Sequence, residues 1–343
     1  MPEQEKIRKM IAACIGENSR TAEVRYDEPM SAHTTFKVGG PADCWVRPLG
    51  EDFPAVAVAL LGAACAGGVP VFILGGGANL VVADRGIRGI VLDTTGWKGL
   101  SPVVDHGGGA AGNAAEAVNA VGTANAADTT GGAVRLCFRS GTSIDEAAEI
   151  AAAAGLSGLE FLAGMPGSVG GAVWMNARCY EREIADALVE TTIVDFLPGL
   201  PLRFPANRAA FGYKRSPFQN RPCLILSAAF SLTPRDKTEI RREMEAHRLD
   251  RTAKGHYRFP CAGSAFKNNR AFGKPTGKII DELGLRGLQT GGAQVAPFHG
   301  NIIINAGGAS AADIRALTEE VAARVKAATG FVLEPEILFA GDW

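Results

Sequence analysis

Three short glycine-rich segments limit what this chain can fold into more than any other feature of its sequence. They read Gly75-Gly76-Gly77-Ala78-Asn79, Ser140-Gly141-Thr142 and Pro166-Gly167-Ser168-Val169-Gly170-Gly171, and each follows a predicted strand or helix end. Glycine tolerates positive φ and allows a ligand or another backbone to come close. The pattern therefore predicts tight connections that present backbone rather than long side chains.

The first segment lacks the context of a Rossmann fingerprint. It joins a buried strand predicted over Val69–Leu74 to the apolar residues 80–83 and then to a strand near 90–93, with no helix between them. The fingerprint G-x-G-x-x-G needs a helix directly after its glycines, and Leu80 stands at its last position. The Rossmann interpretation therefore fails, although consecutive N–H groups of a glycine turn can still hold a pyrophosphate.

Together the three segments favour a long dinucleotide held by backbone amides rather than by lysine or arginine. The alternative is a glycine-rich chain with ordinary turns, because a plain turn between strands needs the same residues. The residues alone leave both interpretations open.

Length and composition narrow the class of protein. A chain of 343 residues exceeds what one small core usually organises, so two or three domains are expected. The formal net charge is −1 without a basic stripe, which argues against nucleic acid and anionic membranes as partners. Seven cysteines lie singly, without a C-x-x-C pair. This spacing indicates a reducing compartment and neither a metal site nor a disulfide framework.

Membrane insertion and secretion are not expected from the sequence. The first residues are acidic and lack an apolar core, so they do not read as a secretory signal. The longest apolar run, Pro54–Ala66, is shorter than a bilayer-spanning helix requires. We therefore expect a soluble, cytoplasmic protein.

The amino-acid composition of the chain changes at the start and at the end of residues 101–133. Residues 101–133 are mostly Gly, Ala, Asn, Thr and Asp with little apolar periodicity, which predicts a flexible insertion. Ordered structure resumes with a strand at Val134–Phe138. Ser143 and Glu146 then predict a capping box at the start of an alanine-rich helix.

Two polar residues of the C-terminal third are candidates for chemistry. Ser264 lacks the G-x-S-x-G context of a hydrolase nucleophile. A hydroxyl after a glycine can instead deliver a proton, although a turn serine is the commoner case. Glu336 lies in a terminal strand predicted over 331–339, where alternation places Glu334 and Glu336 on one face. An exposed edge is the commoner explanation for such an acid.

Five motifs in order along the chain resemble the UDP-N-acetylenolpyruvoylglucosamine reductase (MurB) family. They are the glycine segment with Asn79, residues 164–176, Phe211-Gly212-Tyr213, Ala262-Gly263-Ser264 with Asn268, and Leu333-Glu334-Pro335-Glu336. The resemblance covers nearly the whole chain apart from the N-terminal helix and residues 101–133. The short connection from Arg251 to Ser264 is similar to the compact form of the family, which lacks a tyrosine-bearing insertion.

The resemblance implies an α+β fold. The expected parts are an FAD-binding module of the vanillyl-alcohol-oxidase (PCMH) type in two subdomains, 1–95 and 96–235, and a C-terminal α+β substrate-binding domain, 236–343. The implied activity is NADPH-dependent, FAD-mediated reduction of UDP-N-acetylglucosamine enolpyruvate to UDP-N-acetylmuramate, in the EC 1.3.1 class. This step belongs to peptidoglycan precursor synthesis, and we expect a monomer whose partner is the small nucleotide-sugar substrate.

The same resemblance assigns roles to residues. Non-covalent FAD is expected at Gly75, Gly76, Gly77, Ala78, Asn79, Ser140, Gly141, Thr142, Pro166, Gly167, Ser168, Gly170 and Gly171. The catalytic residues are expected to be Ser264 as proton donor, with Glu336 and Lys214 beside the charge that develops on the substrate carboxylate. Substrate contacts are expected from Tyr213, Arg215, Lys254, Asn268 and Gln289.

The sequence departs from the family pattern at two places. Lys214 stands where the family has arginine, and Arg215 follows it. Lysine lacks the bidentate fork of arginine, so the carboxylate contact is open between the two, and Lys214 occupies the matched position. Arg178 and Cys179 replace a Gly-Ala pair, which puts a charge and a thiol near the expected flavin edge.

Two other functions are compatible with much of this pattern. One is a flavin oxidase or dehydrogenase of a sugar or lactone on the same fold. The other is a nucleotide-sugar sensor without activity. The contexts of Ser264 and Glu336 favour the reductase.

Overall fold

The computed structural model describes residues 3–15, 21–101, 132–197 and 200–343, so the insertion predicted at 101–133 lies almost wholly outside the described residues. The α-helices in this part of the chain are α1 Glu3–Ile15, α2 Phe53–Gly67, α3 Ile144–Ala153, α4 Val169–Met175, α5 Lys237–Ala253, α6 Thr276–Glu282 and α7 Ala311–Thr329. The strands are β1 Ala22–Pro29, β2 Pro41–Pro48, β3 Val71–Leu74, β4 Leu80–Val82, β5 Ile87–Asp93, β6 Val134–Arg139, β7 Leu156–Ser157, β8 Arg178–Cys179, β9 Arg182–Glu183, β10 Leu188–Asp195, β11 Pro201–Pro205, β12 Cys223–Pro234, β13 Cys261–Ser264, β14 Gln289–Thr290, β15 Ala293–Val295, β16 Ile302–Asn305 and β17 Leu338–Ala340.

The described strands form two four-stranded sheets, one five-stranded sheet and two pairs. The four-strand paths run β1-β2-β5-β3, β11-β10-β12-β6 and β13-β16-β15-β14, and β7 adds to the second by pairing with β12. The second and third paths are antiparallel throughout, whereas β17 pairs with β4 in parallel. Helices combined with mainly antiparallel sheets confirm the predicted α+β class.

The chain divides into two compact units, each assembled from three segments of the sequence. Unit 1 contains residues 1–24, 46–76 and 92–249, and unit 2 contains residues 25–45, 77–91 and 250–343. The first glycine segment is therefore divided after Gly76. The division into domains at 95/96 and 235/236 stays a prediction.

Each unit has its own hydrophobic core. In unit 1 the buried face of α3 joins a cluster that includes Phe138 and Phe230, whose ring centroids are 6.1 Å apart. In unit 2 the buried residues of α7, among them Leu317 and Val321, join a cluster that includes Phe266. Burial of each large apolar side chain contributes about 1.5–3 kcal/mol, so both cores stabilise the segments that carry the candidate site.

Helix α2 begins earlier than the apolar run in the sequence suggests. A 3₁₀ turn at Gly50–Asp52 leads directly into it, and the stretch Gly50–Gly67 has the length and hydropathy of a membrane-crossing helix. Six of the α2 residues are buried, and α2 packs against α1. A packed helix passes the same test, so the stretch is weak evidence for membrane insertion.

Two local predictions are wrong. Ser143 is the N-cap residue of α3 but its side chain makes no capping hydrogen bond; of the first helical N–H groups, that of Ile144 donates to the Gly167 carbonyl at 3.2 Å. The terminal strand is limited to Leu338–Ala340, and residues before it pair only through an isolated bridge between Phe266 and Pro335. Regular pairing does not continue because the Ala265 N–H donates to the Asn301 carbonyl and the Glu336 carbonyl accepts the Asn79 amide, so these two groups do not bond to each other.

Candidate active site

The three glycine segments come together in unit 1. A Cβ atom added to Gly75 would lie 2.4 Å from the Ser168 hydroxyl oxygen, and one on Gly76 would lie 2.8 Å from the Cα of Gly167. A Cβ on Gly170 would lie 2.9 Å from the Cβ of Ser140. These distances are too short for any side chain, so glycine is needed because the segments touch at backbone distance.

Much of this glycine cluster is internally hydrogen-bonded. The N–H groups of Ser140, Gly141 and Gly170 donate to the carbonyls of Leu226, Trp97 and Ser140 respectively. The Ser168 hydroxyl accepts from the N–H groups of Gly76 and Gly171, both at 3.3 Å. These amides hold the segments together, as the ordinary-turn interpretation requires.

Exposure separates the cluster into a supporting layer and an accessible rim. Ser140, Gly141, Thr142, Ser168 and Gly170 are buried, whereas Gly75, Gly76 and Gly167 are half-buried and Pro166 and Gly171 are exposed. Gly75, Gly76 and Gly167 therefore present backbone without side chains at the accessible rim.

The rest of the first glycine segment lies in unit 2 and anchors the acidic segment. The Asn79 amide donates to the Glu336 carbonyl at 2.9 Å, and the Leu338 N–H donates to the Asn79 carbonyl at 3.0 Å. Gly77, at a φ of 59°, would place a Cβ 2.0 Å from the His33 carbonyl oxygen. Asn79 therefore fixes the backbone of Glu336, whatever else it contacts.

Lys214 occupies a strained tight turn in unit 1. The backbones of Gly212 and Arg215 exchange two hydrogen bonds of 3.0 Å, with Tyr213 and Lys214 at the tip. Lys214 has a φ of 56°, in the left-handed region that costs a non-glycine residue about 1 kcal/mol. Such strain persists only where the surroundings enforce it.

Two amide side chains enforce this turn. Asn176, which is fully buried, donates to the Gly212 carbonyl at 2.8 Å and accepts from the Ala185 N–H at 3.1 Å. Gln219 donates to the Lys214 carbonyl at 3.1 Å. Lys214 is half-buried, whereas Tyr213 and Arg215 are exposed. Arg178 lies 5.7 Å from the centroid of the Tyr213 ring, in a cation–π arrangement.

Ser264 follows a β-bulge in unit 2. Cys261 pairs with Ile304 and Ser264 with Ile302, so β13 uses one residue more than its partner between these pairs. Gly263 absorbs the irregularity at a φ of 72°, which glycine adopts without steric cost. A bulge of this kind changes the direction of the side chain that follows it.

The same segment brings Ser264 close to Glu336. The Ala265 carbonyl accepts from the Glu336 N–H at 2.8 Å, and the Lys267 N–H donates to the Glu334 carbonyl at 2.9 Å. The two acids do not share one environment, because Glu334 is exposed and pairs with Lys267 whereas Glu336 is half-buried. The predicted serine and acid are thus neighbours in space.

A cavity of about 310 Å³ opens beside Ser264. Its lining includes Asn268 of the predicted substrate contacts, and Lys278, Arg286, His299 and Asn301, which the sequence analysis did not single out. Lys254 and Gln289 are not among the lining residues. They are exposed, Lys254 pairing with Asp250 at 2.7 Å and Gln289 donating to the Gly291 carbonyl at 2.9 Å.

The cavity places a neutral imidazole beside cationic side chains. Burial, followed by the nearby Lys254 and Arg286, lowers the pKa of His299. The Asn301 N–H donates to its Nδ1 at 3.1 Å, so in the neutral ring the proton is on Nε2. His256, whose ring centroid is 6.1 Å from that of His299, has a pKa lowered to about 4 by burial and then by Arg251.

Comparison with known proteins gives consistent matches along the chain. Residues 255–340 match the family described as UDP-N-acetylenolpyruvoylglucosamine reductase, C-terminal domain, and residues 55–199 match an FAD binding domain family. The chain is 40% identical to a UDP-N-acetylenolpyruvoylglucosamine reductase of Treponema denticola, over 93% of this chain and 94% of the relative. It is 36% identical to one of Treponema pallidum, with coverages of 93% and 94%.

A solved structure agrees with these matches. The crystal structure of UDP-N-acetylenolpyruvylglucosamine reductase from Thermus caldophilus superposes with a TM-score of 0.67 at 30% identity. The superposition covers 93% of this chain and 98% of the solved chain.

Proposed function

The chain belongs to the UDP-N-acetylenolpyruvoylglucosamine reductase family, and we propose that it reduces UDP-N-acetylglucosamine enolpyruvate to UDP-N-acetylmuramate in the cytoplasm. FAD and NADPH are the redox partners, and the step belongs to peptidoglycan precursor synthesis. The fold class inferred from the resemblance, an FAD-binding module and a C-terminal α+β domain, is confirmed. The observation that carries the proposal is the hydrogen bond that ties Glu336 to the residue after Ser264.

The accessible rim of the glycine cluster is the proposed site for FAD. Gly75, Gly76 and Gly167 present bare backbone at this rim, and the buried residues behind them keep the segments in place. Bound FAD supplies the hydride chemistry, with NADPH as the source and the enolpyruvyl carbon as the acceptor. The remaining chemistry falls to side chains of this chain.

Ser264 and Glu336 have separate proposed roles in proton donation and charge stabilisation. Ser264 donates a proton to the second enolpyruvyl carbon, which becomes the lactyl stereocentre. Glu336 acts as a proton-bearing or polarising acid beside the group on which negative charge develops, and Lys214 supplies a positive charge to the substrate carboxylate. Because Lys214 offers a single point charge rather than a fork, Arg215 remains the alternative contact.

The cavity beside Ser264 is the proposed site for the nucleotide-sugar diphosphate. Lys278 and Arg286 bring positive charge to its lining, and Asp281 orients Arg286 at 2.5 Å. Asn268 accepts the Thr276 N–H at 2.9 Å and so fixes the start of α6, which carries Lys278. Hydrogen bonds from charged side chains such as Lys278 and Arg286 to phosphate oxygens are stronger than hydrogen bonds between neutral groups.

Anaerobic stopped-flow spectroscopy of the purified protein tests this function. The protein should be yellow, NADPH should bleach the flavin, and the enolpyruvyl nucleotide sugar should restore its colour. An oxidase or dehydrogenase of sugars or lactones would instead be reoxidised rapidly by oxygen and not by this substrate. Colourless protein, or flavin that NADPH does not bleach, would support the sensor.

A further inference from the structure

Asn301 stands at the centre of the segment that carries Ser264. It is almost fully enclosed, at 3% exposure, and lies immediately before β16. Its amide nitrogen donates to the Phe266 carbonyl at 2.8 Å, and its amide oxygen accepts the Phe266 N–H at 3.0 Å. One side chain therefore satisfies both backbone groups of a residue two positions after Ser264, as a neighbouring strand would.

The backbone of Asn301 adds two further contacts. Its carbonyl accepts the Ala265 N–H at 2.8 Å, and its N–H donates to Nδ1 of His299 at 3.1 Å. Ala265 in turn accepts the Glu336 N–H. Asn301 therefore contacts the residue that links Ser264 to Glu336, and it also fixes the imidazole that lines the cavity.

We propose that Asn301 is a positioning residue, which holds Ser264, Glu336 and His299 in the arrangement that proton delivery requires. The inference deepens the proposed function and rests on it. Asn301 does not need to touch the reacting atoms, because it sets the backbone on both sides of the Ala265 carbonyl. A misplacement of about 1 Å in such a group can slow a reaction about 100-fold.

Asn305, the last residue of β16, provides a matched control in the strand that Asn301 precedes. Its amide donates to the Phe36 carbonyl at 3.2 Å and accepts the N–H groups of Gly307 and Ala309 at 3.1 and 3.2 Å. It thus makes a similar set of side-chain to backbone bonds, but to segments that do not carry Ser264. The Asn305→Ala variant therefore measures how much stability and activity are lost when such hydrogen bonds are removed away from Ser264.

The experiment compares the two half-reactions of flavin-loaded Asn301→Ala and Asn305→Ala. For Asn301→Ala we expect flavin reduction by NADPH within about twofold of wild type, and reoxidation by the enolpyruvyl substrate slowed roughly 10- to 100-fold. The solvent deuterium isotope effect on reoxidation should rise. Asn305→Ala should lower the melting temperature to a similar extent and leave both half-reactions near wild type.

A double variant tests whether Asn301 acts through Ser264. If it does, the double variant Ser264→Ala with Asn301→Ala should reoxidise no more than about twofold slower than Ser264→Ala alone, because residues acting as a unit are not additive. Multiplied losses would overturn the proposal, as would equal slowing of both half-reactions. Should Asn301→Ala not fold, Asn301→Ser, which keeps a hydroxyl partner for Phe266, replaces it.

A control of binding separates this inference from the function on which it rests. Reoxidation is measured at saturating enolpyruvyl substrate, because Asn301 also lines the cavity beside Ser264 and weaker binding must not be counted as a slower step. If wild-type reduced protein is not reoxidised by the substrate, the proposed function fails. If wild type reacts and Asn301→Ala behaves like Asn305→Ala, only the positioning role fails.

Discussion

The Lys214 turn of unit 1 and the Ser264 segment of unit 2 each keep an irregular backbone in place, but they differ in where the positive φ falls. Each holds a short irregular backbone with a buried asparagine, Asn176 in the first and Asn301 in the second. In the turn, the positive φ falls on Lys214 itself, whereas beside Ser264 it falls on Gly263. Strain is thus retained at one candidate residue and relieved at the other.

This difference indicates how each region responds to change. A lysine in the left-handed region costs free energy that Asn176 and Gln219 must offset, so the turn should be sensitive to its supports. The Ser264 segment has no such cost and depends on hydrogen bonds from both sides. We expect the turn to respond mainly to changes in backbone strain. We expect the Ser264 segment to respond mainly to loss of the hydrogen bonds that set its position.

The largest expected effect comes from the candidate catalytic side chains. Ser264→Ala and Glu336→Gln should each leave flavin reduction by NADPH near wild type and slow reoxidation by the enolpyruvyl substrate by about 100-fold or more, since each removes a proton donor or a polarising group. Stopped-flow traces of the two half-reactions provide the measurement. Equal losses in both half-reactions would remove that residue from the chemistry.

The next effect concerns the support of the turn. Asn176→Ala leaves the buried Ala185 N–H without its partner and removes one of the two hydrogen bonds to the Gly212 carbonyl, which keeps only the Arg215 N–H. This should lower the free energy of unfolding by about 2 kcal/mol. Chemical denaturation measures it. A surface control is Asn220→Ala, at an exposed position, where the change should stay below about 0.5 kcal/mol. A similar loss in both variants would contradict the support role.

A smaller pair of effects should have opposite signs. Lys214→Gly should be more stable than Lys214→Ala by about 1 kcal/mol, because both remove the charge and only glycine relieves the left-handed strain. Gly263→Ala should be less stable than wild type by about the same amount, since alanine would acquire strain there. Denaturation midpoints decide this, and no difference between the Lys214 variants would show that the turn relaxes.

The last expected effect is a pH dependence of stability that comes from His256, on the Ser264 side. His256 has a pKa of about 4 in the folded protein, lowered by burial and then by Arg251, His299 and Lys254. The unfolded chain takes up this proton near pH 6.5, so folding stability should fall as the pH drops from about 6.5 towards 4. His256→Gln should flatten the melting temperature over that range, and an unchanged slope would exclude His256 as the source.

Much of the candidate site could be predicted from the sequence because its residues carry local signals. Glycine runs mark close backbone approaches, and the order of the five motifs indicated the family. The family and the α+β class are confirmed, and the glycine segments do meet. The individual cofactor, substrate and catalytic contacts remain predictions, including those of Lys254 and Gln289.

Other features were missing because they depend on distant partners. Asn301 had no signal beyond a polar residue next to an apolar run, Asn176 appeared only as the last residue of one family motif, and His299 gave none before the cavity was known. The predicted capping box is absent, although Ser143 does stand at the N-cap of the helix. The terminal strand starts late because the Ala265 N–H and the Glu336 carbonyl bond to Asn301 and Asn79 rather than to each other.

The amino-acid sequence by itself determined where the backbone must come close to another segment. At these glycines an added Cβ atom would lie only 2–3 Å from a neighbouring atom. It also determined the periodic helices and the family. Only the tertiary structure decided which backbone groups meet, because hydrogen bonds such as those of Asn301 join residues far apart in the chain. Pairing at that distance depends on the whole fold, and no local propensity records it.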